Sequence, residues 1–175
     1  MKFISFNHDN SEKFGIIENN LITDLTGKID GASSLKELIK IKKIKEAKEY
    51  VKSNPGSLKP DQIQYSPLIP NPGKIICVGL NYSEHVKETN RTVEENPVIF
   101  HRFPESQTAH MQAIQRPTVS ESLDFEGEMA VIMGEGGKHI KPEDALKHIV
   151  GFSCYNESTI RAVSYTHLTL PTTPV

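Results

Sequence analysis

Three short runs open the chain with apolar and polar positions in alternation: Lys2–Phe6, Phe14–Ile17 and Leu21–Leu25. Successive side chains of a strand point to opposite faces, so this spacing predicts a small antiparallel meander. Asn7-His8-Asp9-Asn10 supplies a turn between the first two runs. The period then changes. Ser33–Val51 carries Leu, Ile and Ala at helical intervals among lysines and glutamates, which predicts one helix with Ser33 or Ser34 as its cap. Its lysines read as a solvated face. Pro55 and Gly56 break the pattern, and Pro60, Pro67, Pro70 and Pro72 mark a boundary. The expected division is a small domain over 1–69 and a second domain from 70 onward.

Lys74–Leu80 is a continuous apolar run, the form of a strand buried on both faces. Asn81 and Glu84 have capping-box spacing, with Ser83 a competing cap, so a helix is expected to start there. On that helix His85 and Glu88 are three residues apart and share a face. A carboxylate beside an imidazole fixes its tautomer and raises its basicity, which suits a general base. The same spacing also describes a plain surface pair. Asn96–Phe103 is a further strand, with Pro97 at its start where no ladder donor is needed. Arg102 closes it, and its fork of donors suits an anionic substrate group or the acids of a neighbouring strand. Gly134-Glu135-Gly136-Gly137 lacks the Lys-Ser/Thr of a phosphate loop and reads as a hairpin turn. A short helix is expected over Pro142–Ile149, followed by a last strand over Val150–Asn156.

Leu123–Met133 is the stretch around which the chemistry is organised. Read as one strand, it puts Leu123, Phe125, Met129 and Val131 on one face and Asp124, Glu126 and Glu128 on the other. The acidic face turns apolar at Ala130 and Ile132, which suggests carboxylates at the mouth of a cavity with a buried floor. Close like charges repel, so a cation between them or a retained proton is expected. An all-carboxylate site suits Mg2+, Mn2+ or Ca2+ rather than zinc. A solvated strand end is the alternative.

Composition narrows the classes further. At 175 residues and a formal charge of −2, the chain has no basic footprint for nucleic acid. No apolar run approaches the roughly 20 residues that span a bilayer, and the start is too short in apolar residues for a signal peptide. Cys77 and Cys154 are apolar-flanked, have no motif spacing and read as buried free thiols, so the cytoplasm is the expected location.

Three blocks taken together resemble the fumarylacetoacetate hydrolase family: Ile76–Glu88, Leu123–Val131 and Gly151–Arg161, in the family's order. The resemblance covers about residues 70 to 161 strongly. It implies a β-rich α+β fold, in which a small β-rich N-terminal domain precedes a truncated mixed β-sandwich roll. It implies a divalent metal, Mg2+ or Mn2+ with Ca2+ the alternative, bound by Glu126, Glu128 and Glu157. The third position usually holds Asp, and Glu157 reaches one methylene further. His85 and Glu88 match the water-activating dyad of family members. Asp124 and Arg161 match supporting positions, Arg161 as an ion-pair partner.

The activity implied is hydrolytic cleavage of a C–C bond in a 2-oxo or β-diketo acid of acylpyruvate type through a metal-stabilised enolate, as in aromatic-compound catabolism. Isomerisation or decarboxylation of a 2-hydroxyhepta-2,4-diene-1,7-dioate type is the runner-up, and a non-catalytic metal-binding remnant the third reading. The expected partners are a small oxo-acid substrate and a second copy in a homodimer, with no nucleic acid and no membrane. Past Arg161 the chain leaves the family pattern, which continues with an Asp and a lysine-bearing second half. Ser164–Thr172 has the form of a translated sequencing adapter, so 70–163 is expected to be an incomplete catalytic domain and 164–175 a non-native tail. The fragment alone is expected to be inactive.

Overall fold

The computed structural model describes residues 1–82 and 96–161. The chain divides into two compact units, Met1–Gln112 and Ala113–Val175.

The first unit begins with the expected meander. Strands β1 (Lys2–His8), β2 (Ser11–Glu18) and β3 (Leu21–Asp24) pair antiparallel, and β4 (Gln64–Tyr65) adds to the far edge of β1. Asp9, Asn10, Asn19 and Asn20 take positive φ at the two turns, a conformation that Asn and Asp tolerate best among residues with a Cβ. One face of the sheet buries Phe14 and Ile16 against Leu25, Leu35, Leu38, Ala47 and Val51. Each of the large side chains here contributes about 1.5–3 kcal/mol by leaving water.

The single helix expected over Ser33–Val51 is two helices, α1 (Leu35–Lys40) and α2 (Ile44–Ser53). Ser34 caps the first, its hydroxyl accepting from the Glu37 N–H at 3.2 Å. Lys42 takes φ of 59° between them, and the Lys43 N–H reaches back to the Leu38 carbonyl at 3.1 Å. That left-handed break re-aims the chain, so Leu35 and Leu38 of α1 and Ala47 and Val51 of α2 enter the same core. No glycine marks the break, because tertiary packing selects it rather than local propensity. Further on, Gly56 passes so close to β3 that a Cβ there would lie 2.3 Å from the Ile22 carbonyl oxygen.

The proline-rich stretch does not divide the structure. Ser5 donates to the Leu68 carbonyl at 2.7 Å, and the Gln107 amide donates to the Ile69 carbonyl at 3.3 Å. These bonds hold 60–72 inside the first unit, whose limit falls at Gln112 rather than at 69/70.

Strands β5 (Ile75–Gly79) and β6 (Val98–Arg102) form an antiparallel pair. β5 was expected to be buried on both faces, yet Ile76 is 60% exposed and Val78 48%. The pair is a two-stranded sheet among the described residues.

In the second unit, Leu123–Met133 is not one strand. It divides into β7 (Leu123–Asp124) and β8 (Gly127–Met133), with Phe125 and Glu126 between. β8 pairs antiparallel with β9 (Ile149–Asn156), and β7 pairs antiparallel with β10 (Thr159–Ile160). The glycine stretch is not a tight hairpin turn. It opens a longer connection through a 3-10 helix (Pro142–His148), closed by the Gly134 N–H donating to the His148 carbonyl at 2.8 Å. The exposed face of β8 and β9 carries Met129, Val131, Met133 and Phe152. Among the described residues no helix is long and apolar enough to cross a membrane.

Candidate active site

The acids meet where the β7–β10 and β8–β9 pairs change over. At this junction the Glu157 N–H donates to the Glu126 carbonyl at 2.8 Å. The Asn156 side-chain oxygen accepts from the Glu126 N–H at 3.1 Å and from the Ser158 hydroxyl at 2.9 Å. Both backbone groups of Glu126 are therefore satisfied from the last residue of β9 and the residue after it. The strand break at Phe125 and Glu126 follows, because a residue bonded in this way has left the β7 and β8 ladders. Sequence reasoning passed over Asn156 and Ser158. The available signal was a run of polar residues, Asn156-Glu157-Ser158-Thr159, closing an otherwise apolar strand.

Arg161 adds the cation that the crowded acids require. Its Nε donates to Asp124 Oδ2 at 2.8 Å, and its Nη1 lies 3.0 Å from Glu126 Oε1. The backbone of Arg161 is pinned as well, its N–H donating to the Ser122 carbonyl at 3.2 Å. Asp124 is fixed on its other oxygen, where Oδ1 accepts from the Phe125 N–H at 2.9 Å. Arg161 thus forms ion pairs with both Asp124 and Glu126.

Glu157 is buried to 8% exposure, and its Oε1 lies out of contact with solvent. A buried carboxylate is expensive unless positive charge or hydrogen bonds compensate it, which marks this residue as more than a surface acid. Glu128 sits on β8 opposite Tyr155, half-buried. Arg102 closes β6 opposite Ile75 in the first unit. His85 and Glu88 lie outside the described residues.

Glu126, Glu128 and Glu157 offer only oxygen donors, the set that suits a hard divalent cation. Their backbones are neighbours, through the Glu126–Glu157 hydrogen bond and the two-residue spacing of Glu126 and Glu128. The fit is one of donor type and backbone placement. As the side chains lie, no group of three or more His, Cys, Asp or Glu among the described residues stands ready to hold a metal ion. The Glu126 carboxylate is instead turned to Arg161.

The sequence profile of the fumarylacetoacetate hydrolase C-terminal domain matches residues 74–173. The chain belongs to the fumarylacetoacetate hydrolase family. The match begins just past the proline-rich stretch and runs on into the segment expected to be foreign.

A mitochondrial oxaloacetate tautomerase of Xenopus laevis is 37% identical over 118 residues, which is 67% of this chain and 37% of that protein. The corresponding enzyme of Rattus norvegicus is 39% identical over 100 residues, 57% of this chain and 32% of that one. The chain thus spans about a third of these curated relatives. Among solved structures, a fumarylacetoacetate hydrolase of Exiguobacterium antarcticum superposes with a TM-score of 0.77 at 30% identity, covering 95% of this chain and 59% of that one. Maleylpyruvate hydrolase of Sphingobium sp. SYK-6, solved with manganese and pyruvate, shares the fold at 20% identity and a TM-score of 0.75. That alignment covers 92% of this chain and 60% of the hydrolase. Relatives in the family are enzymes that include hydrolases, isomerases and tautomerases.

Proposed function

We propose that the protein carrying this sequence is a divalent-metal-dependent enzyme that cleaves a C–C bond of an acylpyruvate-type 2-oxo or β-diketo acid by hydrolysis. The observation that carries this reading is the junction of Glu126 with Glu157, held by Asn156 and balanced by Arg161. Glu126, Glu128 and Glu157 would hold Mg2+ or Mn2+. Bound by these oxygens, such a cation supplies Lewis-acid stabilisation of the charge that develops as the C–C bond breaks. The manganese of the maleylpyruvate hydrolase structure is consistent with this choice.

The chain's own residues do the rest. Asn156 fixes the backbone of Glu126, and Asp124 and Arg161 set the direction of its carboxylate. His85 would take a proton from water onto an imidazole nitrogen, with Glu88 as its partner in the dyad that the family resemblance implies. Arg102 offers a planar pair of donors to a substrate carboxylate.

The similarity to oxaloacetate tautomerases favours a second reading. Keto–enol interconversion uses the same stabilised enolate and breaks no C–C bond. The two are separated by incubating the full-length protein and Mn2+ with an acylpyruvate and with oxaloacetate, followed by proton NMR. Hydrolysis consumes the acylpyruvate and yields two acids. Tautomerisation speeds keto–enol exchange of oxaloacetate without consuming it. His85→Ala is expected to abolish turnover and keep Mn2+ affinity, and unchanged turnover would remove His85 as the base. If neither substrate is processed, the catalytic reading gives way to a metal-binding remnant.

A further inference from the structure

We propose that Asp124 is a positioning residue that tethers Arg161, so that the guanidinium engages one oxygen of Glu126 and leaves the other for a cation. The inference rests on the metal reading above. Three observations carry it. Asp124 is itself held, because its Oδ1 accepts from the Phe125 N–H at 2.9 Å. Its Oδ2 takes the directed Nε bond of Arg161 at 2.8 Å. Glu126 receives a single ion pair, from Nη1 to Oε1 at 3.0 Å, and its Oε2 is not engaged among the described residues.

An arginine free to turn prefers to fork a carboxylate, placing two parallel N–H groups on its two oxygens. Untethered, Arg161 would close on both oxygens of Glu126 and compete with any metal. With Nε bonded to Asp124, the guanidinium meets Glu126 through Nη1, at Oε1. Arg161 then fixes the rotamer of Glu126 through Oε1 and leaves Oε2 open. The same arrangement keeps the acids in charge balance before a cation arrives.

This account makes the effect of Asp124 depend on Arg161. The test is Mn2+ affinity, read from the loss of the free-ion electron paramagnetic resonance signal at 0.15 M salt. It compares the chain with Asp124→Asn, Arg161→Gln and the double variant. Asp124→Asn is expected to weaken binding at least about tenfold, the scale of an outer-partner loss at a metal site. In the Arg161→Gln background the same change is expected to cost no more than about threefold, the screened effect of one lost charge. Equal losses in both backgrounds would show Asp124 acting as a charge or a ligand in its own right, and would overturn the tether. So would unchanged affinity in Asp124→Asn.

Exchange of the Arg161 Nε–H, followed by nitrogen-edited NMR, reads the tether with no metal present. Slow exchange in the chain and faster exchange in Asp124→Asn supports it, and equal rates overturn it. If no variant and not the parent chain binds Mn2+, the metal reading fails, and the exchange comparison decides the tether by itself. A merely structural role for Asp124 would lower the unfolding midpoint and leave the dependence on Arg161 absent.

Discussion

Replacing Asn156 with alanine removes the acceptor that fastens Glu126 to the end of β9. Two donors lose this acceptor, the Glu126 N–H at 3.1 Å and the Ser158 hydroxyl at 2.9 Å. A hydrogen bond contributes about 0.5–1.5 kcal/mol net. Glu126 retains 21% side-chain exposure, so water can reach the freed amide in part, and the lower half of the range applies. Two bonds at that level give a local destabilisation of about 1–2 kcal/mol. Ser158→Ala removes one of them and is expected to lose about half as much. The suitable assay is hydrogen exchange of the Glu126 amide, because unfolding of the whole chain also reports the first unit. Asn156→Ala should speed that exchange by roughly five- to thirtyfold, with Ser158→Ala in between. The Leu38 amide, in the core of the first unit, should not change. Exchange at Glu126 equal to the parent in Asn156→Ala would refute the reasoning, and so would a larger effect from Ser158→Ala.

Other expectations concern the first unit and its pH dependence. Leu38→Ala opens a cavity at a position with 0% exposure and should destabilise the unit by about 3–5 kcal/mol in urea unfolding. A loss below about 1 kcal/mol would mean the helix pair does not pack as described. Ser34→Ala deletes the cap of α1 and should cost about 1 kcal/mol in the same assay, with Ser34→Asp restoring most of it. Burial pushes the Asp24 carboxyl up, but the Lys13 ammonium at 2.9 Å and the hydrogen bonds of Thr26 outweigh it and hold it below its ordinary value. Stability from Asp24 is therefore present above its unfolded value and lost as pH falls through the lower folded value. Lys13 is raised, chiefly by its hydrogen bond and charge pairing with Asp24, so its share is lost as pH rises through the folded value. Asp24→Asn should flatten both limbs of the stability-versus-pH curve, and an unchanged curve would remove the pair as its source.

Much of the fold was legible because it follows from local period. β1, β2 and β3 fall where alternation and Asn-rich turns put them, and Ser34 caps where a serine before Leu-Lys-Glu should. What was not legible depends on distant partners. The break at Lys42 carries no glycine and is selected by the need of α1 and α2 to enter one core. Polar and apolar residues keep alternating along the sequence through Phe125 and Glu126, so Leu123–Met133 looks like one strand, although burial changes phase there: Leu123 is turned in before the break, Glu126 and Glu128 after it. Only the bonds from Asn156 and Glu157 reveal it. Burial of β5 was misread for a related reason. An apolar run states what a strand tolerates, whereas its exposure depends on layers that local sequence does not encode.

Glu126 and Glu128 are singled out by their two-residue spacing, whereas Glu157 enters only through the family resemblance. The hold that Asn156 has on Glu126 was not legible, because an asparagine ending a strand is common and its bond spans 30 positions of sequence.

Mn2+ binding by the chain, compared with that of Glu157→Gln, tests the central claim most directly. The account predicts one site per chain, weakened by more than about a hundredfold when the buried carboxylate becomes a neutral amide, with the unfolding midpoint of the first unit unchanged. Equal Mn2+ affinity in the parent and the variant, or no binding by the parent, would contradict it.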